Sequence, residues 1–307
     1  MLTIFSIPKP FAGHVAVIQR NAINSWYRLH PKCEMILFGD EVGTKETAAE
    51  LNARYVPNIT RNEYGTPLLD AIFAQAQQIA SHRLICYVNA DIILLSEFLE
   101  AVKRISFRRF LAAGQRWDVD LAEHWDFEHK DWEERLRRYV AAKGVLHPPW
   151  GLDYFVFPRD CSFGELPPFA VGRPGWDNWM IFRARKLGMP VVDIGRAVMV
   201  IHQNHAYGHV PEGKGETWEG PEADRNRELL GGQKQSFNLL DATHVMMSRA
   251  ILPALGCKHL RRRWQTLPIL IPRTRPLLRL LKVERGVFCS IARVLFCKIR
   301  RWMTSNN

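Results

Sequence analysis

Three observations predict an α/β fold with a mainly parallel sheet for this chain of 307 residues. Short apolar runs that suit buried strands alternate with segments of helical apolar spacing over residues 1–115. Apolar residues make up 47% of the chain and charged residues 24%, which is typical of a soluble globular protein. Polar residues follow two of the strand-like runs, at Gly39-Asp40 and at Asn89-Ala90-Asp91, and ligands bind at such strand ends in parallel sheets.

Apolar spacing and chain breakers place the individual elements. Short apolar runs predict strands, apolar recurrence every three or four residues predicts helices, and proline or glycine ends both. The predicted strands are 2–7, 34–38, 55–56, 84–88, 152–157, 191–192 and 198–201. The predicted helices are 14–27, 44–54, 67–81, 131–144 and 176–187. Asp131 and Glu134 form a capping pattern, and the polar, glycine-rich stretch 211–235 predicts a mobile loop.

Basic residues are concentrated towards the C-terminus. Between Lys258 and Trp302 there are thirteen Lys and Arg against one acidic residue, Glu284, whereas the rest of the chain is nearly neutral. We therefore expect a neutral domain over residues 1–256 and a basic tail over residues 257–307. Because the domain itself is not basic and shows no nucleic-acid-binding motif, we expect no nucleic-acid partner.

Neither the N-terminal residues nor the cysteines indicate secretion. The first eight residues lack the basic region and long apolar run of a signal peptide, and no segment approaches the roughly 18 uninterrupted apolar residues of a membrane span. The six cysteines are scattered without a Cys-x-x-Cys pair, which is typical of reduced thiols. We expect a cytoplasmic location.

The triplet Asn89-Ala90-Asp91 stands at the end of the apolar run Leu84–Val88. Side chains alternate along an extended chain, so the amide of Asn89 and the carboxylate of Asp91 point the same way. Hard oxygen ligands in this position suit a Mg²⁺ or Mn²⁺ ion that carries a diphosphate. The alternative is a turn, in which Asn and Asp are common for conformational reasons alone.

Four short passages occur along the chain in the order found in a known family of enzymes. They are Phe38-Gly39-Asp40, Asn62–Pro67, Tyr87–Asp91, and Gly175–Trp179 followed by His202–His205. Together they resemble the nucleotide-diphospho-sugar glycosyltransferases of the GT-A fold (family 2-like), over about residues 1–210. The resemblance implies a GT-A-type, Rossmann-like sheet with a nucleotide-binding half over 1–115 and an acceptor and catalytic half over 116–256. The chain departs from the family's Asp-x-Asp motif at Asn89.

The resemblance implies roles for residues of the first half. Asp91 is the principal metal ligand, and Asn89 is an auxiliary ligand or a contact to the sugar or ribose. Asp40 is placed to bind the nucleoside, although a solvated turn carboxylate is an equal alternative. Asn62 and Thr66 would flank the nucleotide.

The second half holds the candidate catalytic carboxylates. Asp177 would take the proton from the acceptor hydroxyl in an inverting reaction, between the indoles of Trp176 and Trp179 as platforms for sugar rings. The alternative is that Asp177 only caps a helix and that both tryptophans are core. Asp153 is the reserve carboxylate, either as donor-sugar contact or as base.

Three histidines lie close together at positions 202, 205 and 209. A zinc site lacks a nearby Cys or Glu to complete a tetrahedral set. A GT-A-like domain would use one histidine as a metal or diphosphate ligand, for which we favour His202 or His205. His209 is interpreted as a loop residue, and ordinary polar histidines remain the alternative.

The basic tail divides into an irregular arm over 258–276 and an amphipathic helix over Leu277–Trp302. A basic amphipathic helix is typical of a segment attracted to anionic lipid, so residues 258–302 predict peripheral binding to the cytoplasmic membrane face. Docking on the domain, or on a partner, is the alternative.

The sequence thus predicts a metal-dependent glycosyltransferase of polysaccharide biosynthesis. It would move a sugar from a nucleotide-diphosphate donor to a hydroxyl of a glycan or lipid-linked acceptor, with Mn²⁺ or Mg²⁺ as cofactor. The rival hypothesis is a catalytically inactive, membrane-docked binding protein of the same fold, which Asn89 favours.

Overall fold

The structure is a computed structural model, and it describes residues 1–161, 163, 166–205 and 218–276. The strands are β1 Leu2–Ser6, β2 Glu34–Phe38, β3 Arg54–Val56, β4 Leu84–Val88, β5 Ile92–Leu94, β6 Leu111–Ala113, β7 Trp117–Val119, β8 Val145–Leu146, β9 Tyr154–Pro158, β10 Val191–Asp193, β11 Val200–Gln203, β12 His244–Met246 and β13 Ile251–Pro253. The α-helices are α1 Gly13–Leu29, α2 Thr44–Glu50, α3 Leu69–Ile79, α4 Ser96–Lys103, α5 Trp132–Lys143, α6 Trp176–Lys186, α7 Pro221–Leu230 and α8 Cys257–Leu270. Short 3₁₀ helices cover Gln233–Gln235, Leu239–Asp241 and Pro272–Thr274.

A large sheet organises the part of the chain that is described. Its nine strands lie in the order β13-β12-β10-β6-β9-β4-β1-β2-β3. Strands β4, β1, β2 and β3 are mutually parallel, as are β6, β10 and β12, whereas β9 runs antiparallel between β4 and β6. The prediction of an α/β fold with a mainly parallel sheet is therefore confirmed.

Helices cover both faces of this sheet, as the alternating side chains of β4 show. Ile85 and Tyr87 pack in one core with residues of α3 and α6. Cys86 and Val88 pack in a second core with residues of α1 and α4. A strand whose two faces are both buried reads as a continuous apolar run, and Leu84–Val88 could be predicted from the sequence for that reason.

A second, smaller sheet stands beside the carboxyl end of β4. Its order is β5-β11-β7-β8, with β11 antiparallel to β5 and parallel to β7. In this register His202 of β11 is paired with Asp118 of β7 and with Ile92 of β5. Because β5 directly follows Asp91, the small sheet carries histidines of the late strand to the end of β4.

Several local predictions need correction. The sequence analysis missed α4, β5 to β8, β12, β13 and α8, most of which are too short to show a clear period. Asp131 makes no side-chain cap bond, so the capping pattern does not form. Part of the predicted loop 211–235 is helical, because Pro221 opens α7 and Gly231 ends it in a left-handed conformation. Residues 211–217 lie outside the described residues.

The first part of the basic tail is a docked helix and not an irregular arm. Arg262 of α8 donates to the buried carboxylate of Asp241 at 2.8 Å and to the carbonyl of Ser236 at 2.6 Å. Arg263 donates to the carbonyl of Thr243 at 3.1 Å. These bonds fasten α8 to the domain. The predicted helix Leu277–Trp302 lies outside the described residues.

Candidate functional site

A pocket of about 680 Å³ opens where several elements of the large sheet end. It is lined by residues after β1 and β4, residues before β9, the start of α6 and the end of β11. Volumes of this size suit small-molecule ligands, and the carboxyl ends of parallel strands are their usual position. The predicted residues that line it are Asn89, Asp91, Asp153, Trp176, Asp177, His202 and His205.

Three of these residues form a compact group of potential metal ligands. One ligand atom each from Asp91, His202 and His205 lies within 4.8 Å of the others. Asp91 Oδ2 is 3.1 Å from His205 Nε2 and 3.7 Å from His202 Nε2. The side chains are 16%, 6% and 10% exposed for Asp91, His205 and His202, so a bound ion would be largely shielded from solvent.

The chemistry of this group fits a divalent cation. Asp91 Oδ1 is buried and has no hydrogen-bond partner, which is costly unless an unplaced group satisfies it. Carboxylate oxygen with imidazole nitrogen suits Mn²⁺, and a carboxylate with substrate phosphates suits Mg²⁺. Burial raises the pKa of Asp91. The hydrogen bond from His205 and the charges of His202 and Lys9 lower it by more than burial raises it, so this pKa lies well below its usual range.

Asp118 lies beside His202 on the side opposite to Asp91. Its Oδ1 lies 3.1 Å from His202 Nδ1 and accepts from Arg116 Nε at 2.8 Å, and its Oδ2 is 2.6 Å from His147 Nδ1. A carboxylate behind a histidine fixes the ring and leaves the other nitrogen directed at the ion. Burial raises the pKa of Asp118, but the contacts to His202, His147 and Arg116 lower it by more, so this pKa lies well below its usual range.

Asn89 is engaged by protein groups on both sides of its amide. Its Nδ2 donates to Asp153 Oδ1 at 2.8 Å, and its Oδ1 accepts from the Tyr87 hydroxyl at 3.0 Å. An aspartate at position 89 would face the carboxylate of Asp153 with like charge, which an amide donor avoids.

Asp153 is the ion-paired carboxylate of the pocket. Its Oδ2 accepts a short hydrogen bond from Arg116, while its Oδ1 accepts from Asn89. The Asp153 side chain is 10% exposed and that of Arg116 is 13% exposed. Burial lowers the pKa of Arg116, but the charges of Asp153 and Asp118 raise it by more. The guanidinium therefore stays charged.

Asp177 lies at the start of α6 in a different environment. Gly175 is the N-cap, in a left-handed conformation, so Asp177 lies inside the first helical turn and is not the cap residue. Burial raises the pKa of Asp177 to about 7, the neighbouring charge of Asp153 adds to the shift, and backbone N–H groups of Asn178, Asp177 and Gly175 oppose it. A half-buried carboxyl with a pKa near neutrality can accept a proton at physiological pH.

The two tryptophans that flank Asp177 are core residues. Trp176 and Trp179 are each 6% exposed. Trp176 packs edge-on against Tyr87 and Phe155, and Trp179 packs against Phe169. The expectation of open indole platforms at these positions is therefore corrected, because their faces are covered by apolar side chains. Of these two tryptophans, Trp176 lines the pocket and Trp179 does not.

Three predicted nucleotide contacts do not line the pocket. Asp40 is an exposed carboxylate paired with Arg61 at 2.6 Å, and this pairing lowers its pKa. The amide oxygen of Asn62 accepts from the backbone N–H groups of Tyr64 and Thr66, and its Nδ2 donates to Glu222 at 2.6 Å.

Glu222 of α7 ties these contacts to the pocket rim. Its carboxylate accepts from Arg173 Nη2 at 2.6 Å as well as from Asn62. Thr66 also bonds to Glu222, and these contacts lower the pKa of Glu222 although burial raises it. Asn62 and Thr66 therefore hold α7 in place, beside a pocket that Arg173 lines.

Sequence reasoning missed Asp118, Arg116, His147, Arg173 and Glu222. The stretch Arg116–Asp120 alternates polar and apolar residues, which is typical of a half-buried strand and could have pointed to β7. His209 lies outside the described residues. The described helices include none long and apolar enough to cross a bilayer.

No protein-family model matches the sequence, and no curated protein matches it. Among solved structures, a mycobacterial protein matches with a TM-score of 0.42 and 13% identity, over 77% of this chain and 74% of its own. Glucosyl-3-phosphoglycerate synthase from Mycobacterium tuberculosis, in complex with phosphoglyceric acid, matches with a TM-score of 0.41 and 16% identity, over 75% of this chain and 79% of its own.

A third solved structure is a protein from Desulfovibrio desulfuricans G20 assigned as a nucleotide-diphospho-sugar transferase. It matches with a TM-score of 0.32 and 12% identity over 52% of this chain. The chain spans 64% of the length of that protein, which is less than two thirds. Similarity at these TM-scores assigns no activity to the chain, so functional inference rests on the site itself.

Proposed function

We propose that the protein is a metal-dependent glycosyltransferase of the GT-A type. It transfers a sugar from a nucleotide-diphosphate donor to a hydroxyl group of an acceptor, with inversion at the anomeric carbon. One observation carries the proposal: a single pocket holds both the Asp91–His202–His205 group and Asp177, whose pKa is raised to about 7. This combination offers a cation site and a proton acceptor side by side.

Asp91, His202 and His205 would hold Mn²⁺ or Mg²⁺. When bound, a divalent cation supplies Lewis-acid stabilisation to the negative charge of a departing diphosphate. Asp118 orients His202 for this purpose, and Asn89 supports the site through Asp153 without contributing a charge. The Asn-Ala-Asp variant is thus compatible with metal binding, because two imidazoles offer ligand atoms beside Asp91.

Asp177 is the proposed general base. In an inverting displacement, the acceptor oxygen attacks the anomeric carbon while a carboxylate removes its proton. A carboxyl with a pKa near 7 is deprotonated in a large fraction of molecules at neutral pH, yet it is basic enough to take the proton. Asp153 is held by Arg116, so we assign it to positioning and to contact with the donor sugar.

The membrane proposal now concerns the exposed basic residues of α8 and the part of the tail beyond it. Arg262 and Arg263 are used for docking, whereas Lys258, Arg261, Arg273 and Arg275 remain exposed. We propose that these residues and the segment 277–302 attract anionic lipid at the cytoplasmic membrane face. Co-sedimentation with phosphatidylglycerol vesicles should fall when the chain ends at residue 276, a cut that preserves α8. Undiminished binding would contradict the proposal.

The central experiment is a nucleotide and metal screen with a matched pair of variants. Thermal unfolding is followed with UDP, GDP, ADP and CDP, each with and without Mn²⁺; the synthase described above was solved with Mn²⁺ and UDP. We expect one nucleoside diphosphate to raise the Tm only with metal, and we expect Asp91→Asn to lose this effect. Asp126→Asn, an exposed carboxylate near Arg135, is the control and should keep it.

Two outcomes would count against the proposal. Absence of stabilisation by any nucleoside diphosphate with Mn²⁺ would contradict a nucleotide-sugar donor. Stabilisation by a nucleotide without release of that nucleotide from any sugar donor, over a panel of UDP- and GDP-sugars, would favour the rival binding protein that lacks catalysis.

A further inference from the structure

Two exposed tryptophans border the pocket and have no role in the proposed donor chemistry. Trp150 is 59% exposed and Trp218 is 54% exposed, and both line the pocket that contains Asp177. Trp176, which lines the same pocket, is 6% exposed. Leaving a large indole open to water forgoes a substantial burial energy, and exposed aromatic groups at a cleft are typical of ligand contacts.

The two indoles lie on segments that lead into elements of the pocket wall. Trp150 lies three residues before Asp153 in the segment that enters β9, and β9 and β1 lie on opposite sides of β4. Trp218 precedes α7, whose Glu222 binds Arg173 at the pocket rim. After β1 the pocket is lined by Ile7 and Lys9. If the proposed donor lies there, the side of Trp150 is left for the second substrate.

The charges of the pocket indicate what kind of second substrate fits. Arg116 is paired with Asp153 and Asp118, and Arg173 is paired with Glu222. Lys9 faces the charge of Asp91. Each of these three cations thus already faces a carboxylate of the protein, which leaves the site poorly matched to a phosphorylated or carboxylated acceptor.

Building on the proposed function, we propose that Trp150 and Trp218 form the acceptor subsite and that the acceptor is an uncharged sugar ring of a glycan. A pyranose has an apolar face of C–H groups that an indole covers, while its hydroxyl groups point outwards to water and to polar side chains. The stacked ring would present one hydroxyl to Asp177 in the same pocket.

The test measures sugar and nucleotide binding separately in the whole protein. The probes are maltotriose, cellotriose and chitotriose, with glucose 6-phosphate as the charged comparison, each titrated by tryptophan fluorescence and calorimetry. We expect one or more neutral trisaccharides to bind, and Trp150→Ala and Trp218→Ala each to weaken that binding roughly tenfold, the effect of losing about 1.4 kcal/mol. Trp→Phe at either position should restore part of the affinity.

The control is Tyr27→Ala, which removes an aromatic side chain of 48% exposure that lies outside this pocket. It should leave sugar affinity unchanged. An unchanged Tm in all variants shows that they fold, because the substituted groups are exposed.

The outcomes separate this inference from the proposed function. Binding of only the charged sugar, no trisaccharide binding, or equal sugar affinity in wild type and Trp variants would overturn the acceptor subsite. A loss of nucleotide affinity in Trp218→Ala in place of sugar affinity would reassign that indole to the base and also overturn it. Nucleotide binding by wild type, measured with Mn²⁺ and no sugar, tests the donor site independently.

Discussion

Two carboxylates of one pocket, Asp153 and Asp177, are placed in opposite electrostatic surroundings. Asp153 accepts hydrogen bonds from Arg116 and Asn89, and it belongs to a chain of charges that continues through Asp118 to His202. Asp177 has backbone N–H groups around it and a neighbouring negative charge, and its pKa rises to about 7. A carboxylate bound to a cation suits the positioning of its neighbours, whereas Asp177, with a pKa near neutrality, can exchange a proton.

The largest effect is expected from Asp177→Asn. The amide keeps the size and the backbone contacts of the side chain but cannot accept a proton, so kcat for transfer should fall by about 10²–10⁴-fold. Affinity for the nucleoside diphosphate with Mn²⁺ should stay near that of wild type. Asp126→Asn serves as control, and a kcat for Asp177→Asn within a few-fold of wild type would remove Asp177 as the base.

The next effect concerns the support of the metal group. Asp118→Asn removes the negative charge 3.1 Å from His202 Nδ1, so affinity for Mn²⁺ should fall by about 10–100-fold in a calorimetric titration. The neutral amide still fills the space between Arg116 and His147, which keeps the local packing. Equal Mn²⁺ affinity in wild type and Asp118→Asn would show that His202 is positioned by other groups.

Asp153→Asn tests how much the ion pair between Asp153 and Arg116 contributes to the free energy of unfolding. Arg116 keeps Asp118 but loses the charge of Asp153 in a mostly buried site, so the free energy of unfolding should fall by about 2 kcal/mol. The matched control is Glu134→Gln, which breaks an exposed pair with Arg138 and should cost less than about 0.5 kcal/mol. Equal losses in urea denaturation would mean that burial of the Arg116 network adds no stability.

The pH dependence tests the same comparison without any substitution. Because the base must be deprotonated and its pKa is raised to about 7, kcat should fall about tenfold for each pH unit below 7 and level off above it. A profile measured with saturating donor and metal that stays flat between pH 5 and 7 would contradict this.

The same pKa shift has a consequence for stability with a defined sign. Between the ordinary carboxyl value and about pH 7, the folded protein retains a proton on Asp177 that the unfolded chain has lost. The folded state binds more protons in this window, so the contribution of Asp177 to stability falls as pH rises through it. The Tm difference between Asp177→Asn and wild type should therefore be more positive at pH 8 than at pH 5.

The sequence could predict the strands that carry the site but not every group in it. Leu84–Val88 is a short apolar run that is buried on both faces. The apolar run alone therefore predicts the end of this strand and the position of Asp91 after it. The alternation over Arg116–Asp120 indicates a strand, but it does not show that β7 pairs with β11 and so brings Asp118 beside His202. Trp176 and Trp179 looked like open platforms because sequence shows aromatic residues without showing what covers them.

The sequence alone determined the α/β class, the position of Asp91 after β4, and the candidate histidines of the late strand. The tertiary structure decided which groups meet. Because β9 runs antiparallel beside β4, the residue before β9 meets the residue after β4, and Asp153 contacts Asn89. The register of β11 on β7 places His202 beside Asp118 in the same way. Apolar periodicity reports only which face of an element is buried, whereas these contacts depend on the pairing of strands far apart in the chain.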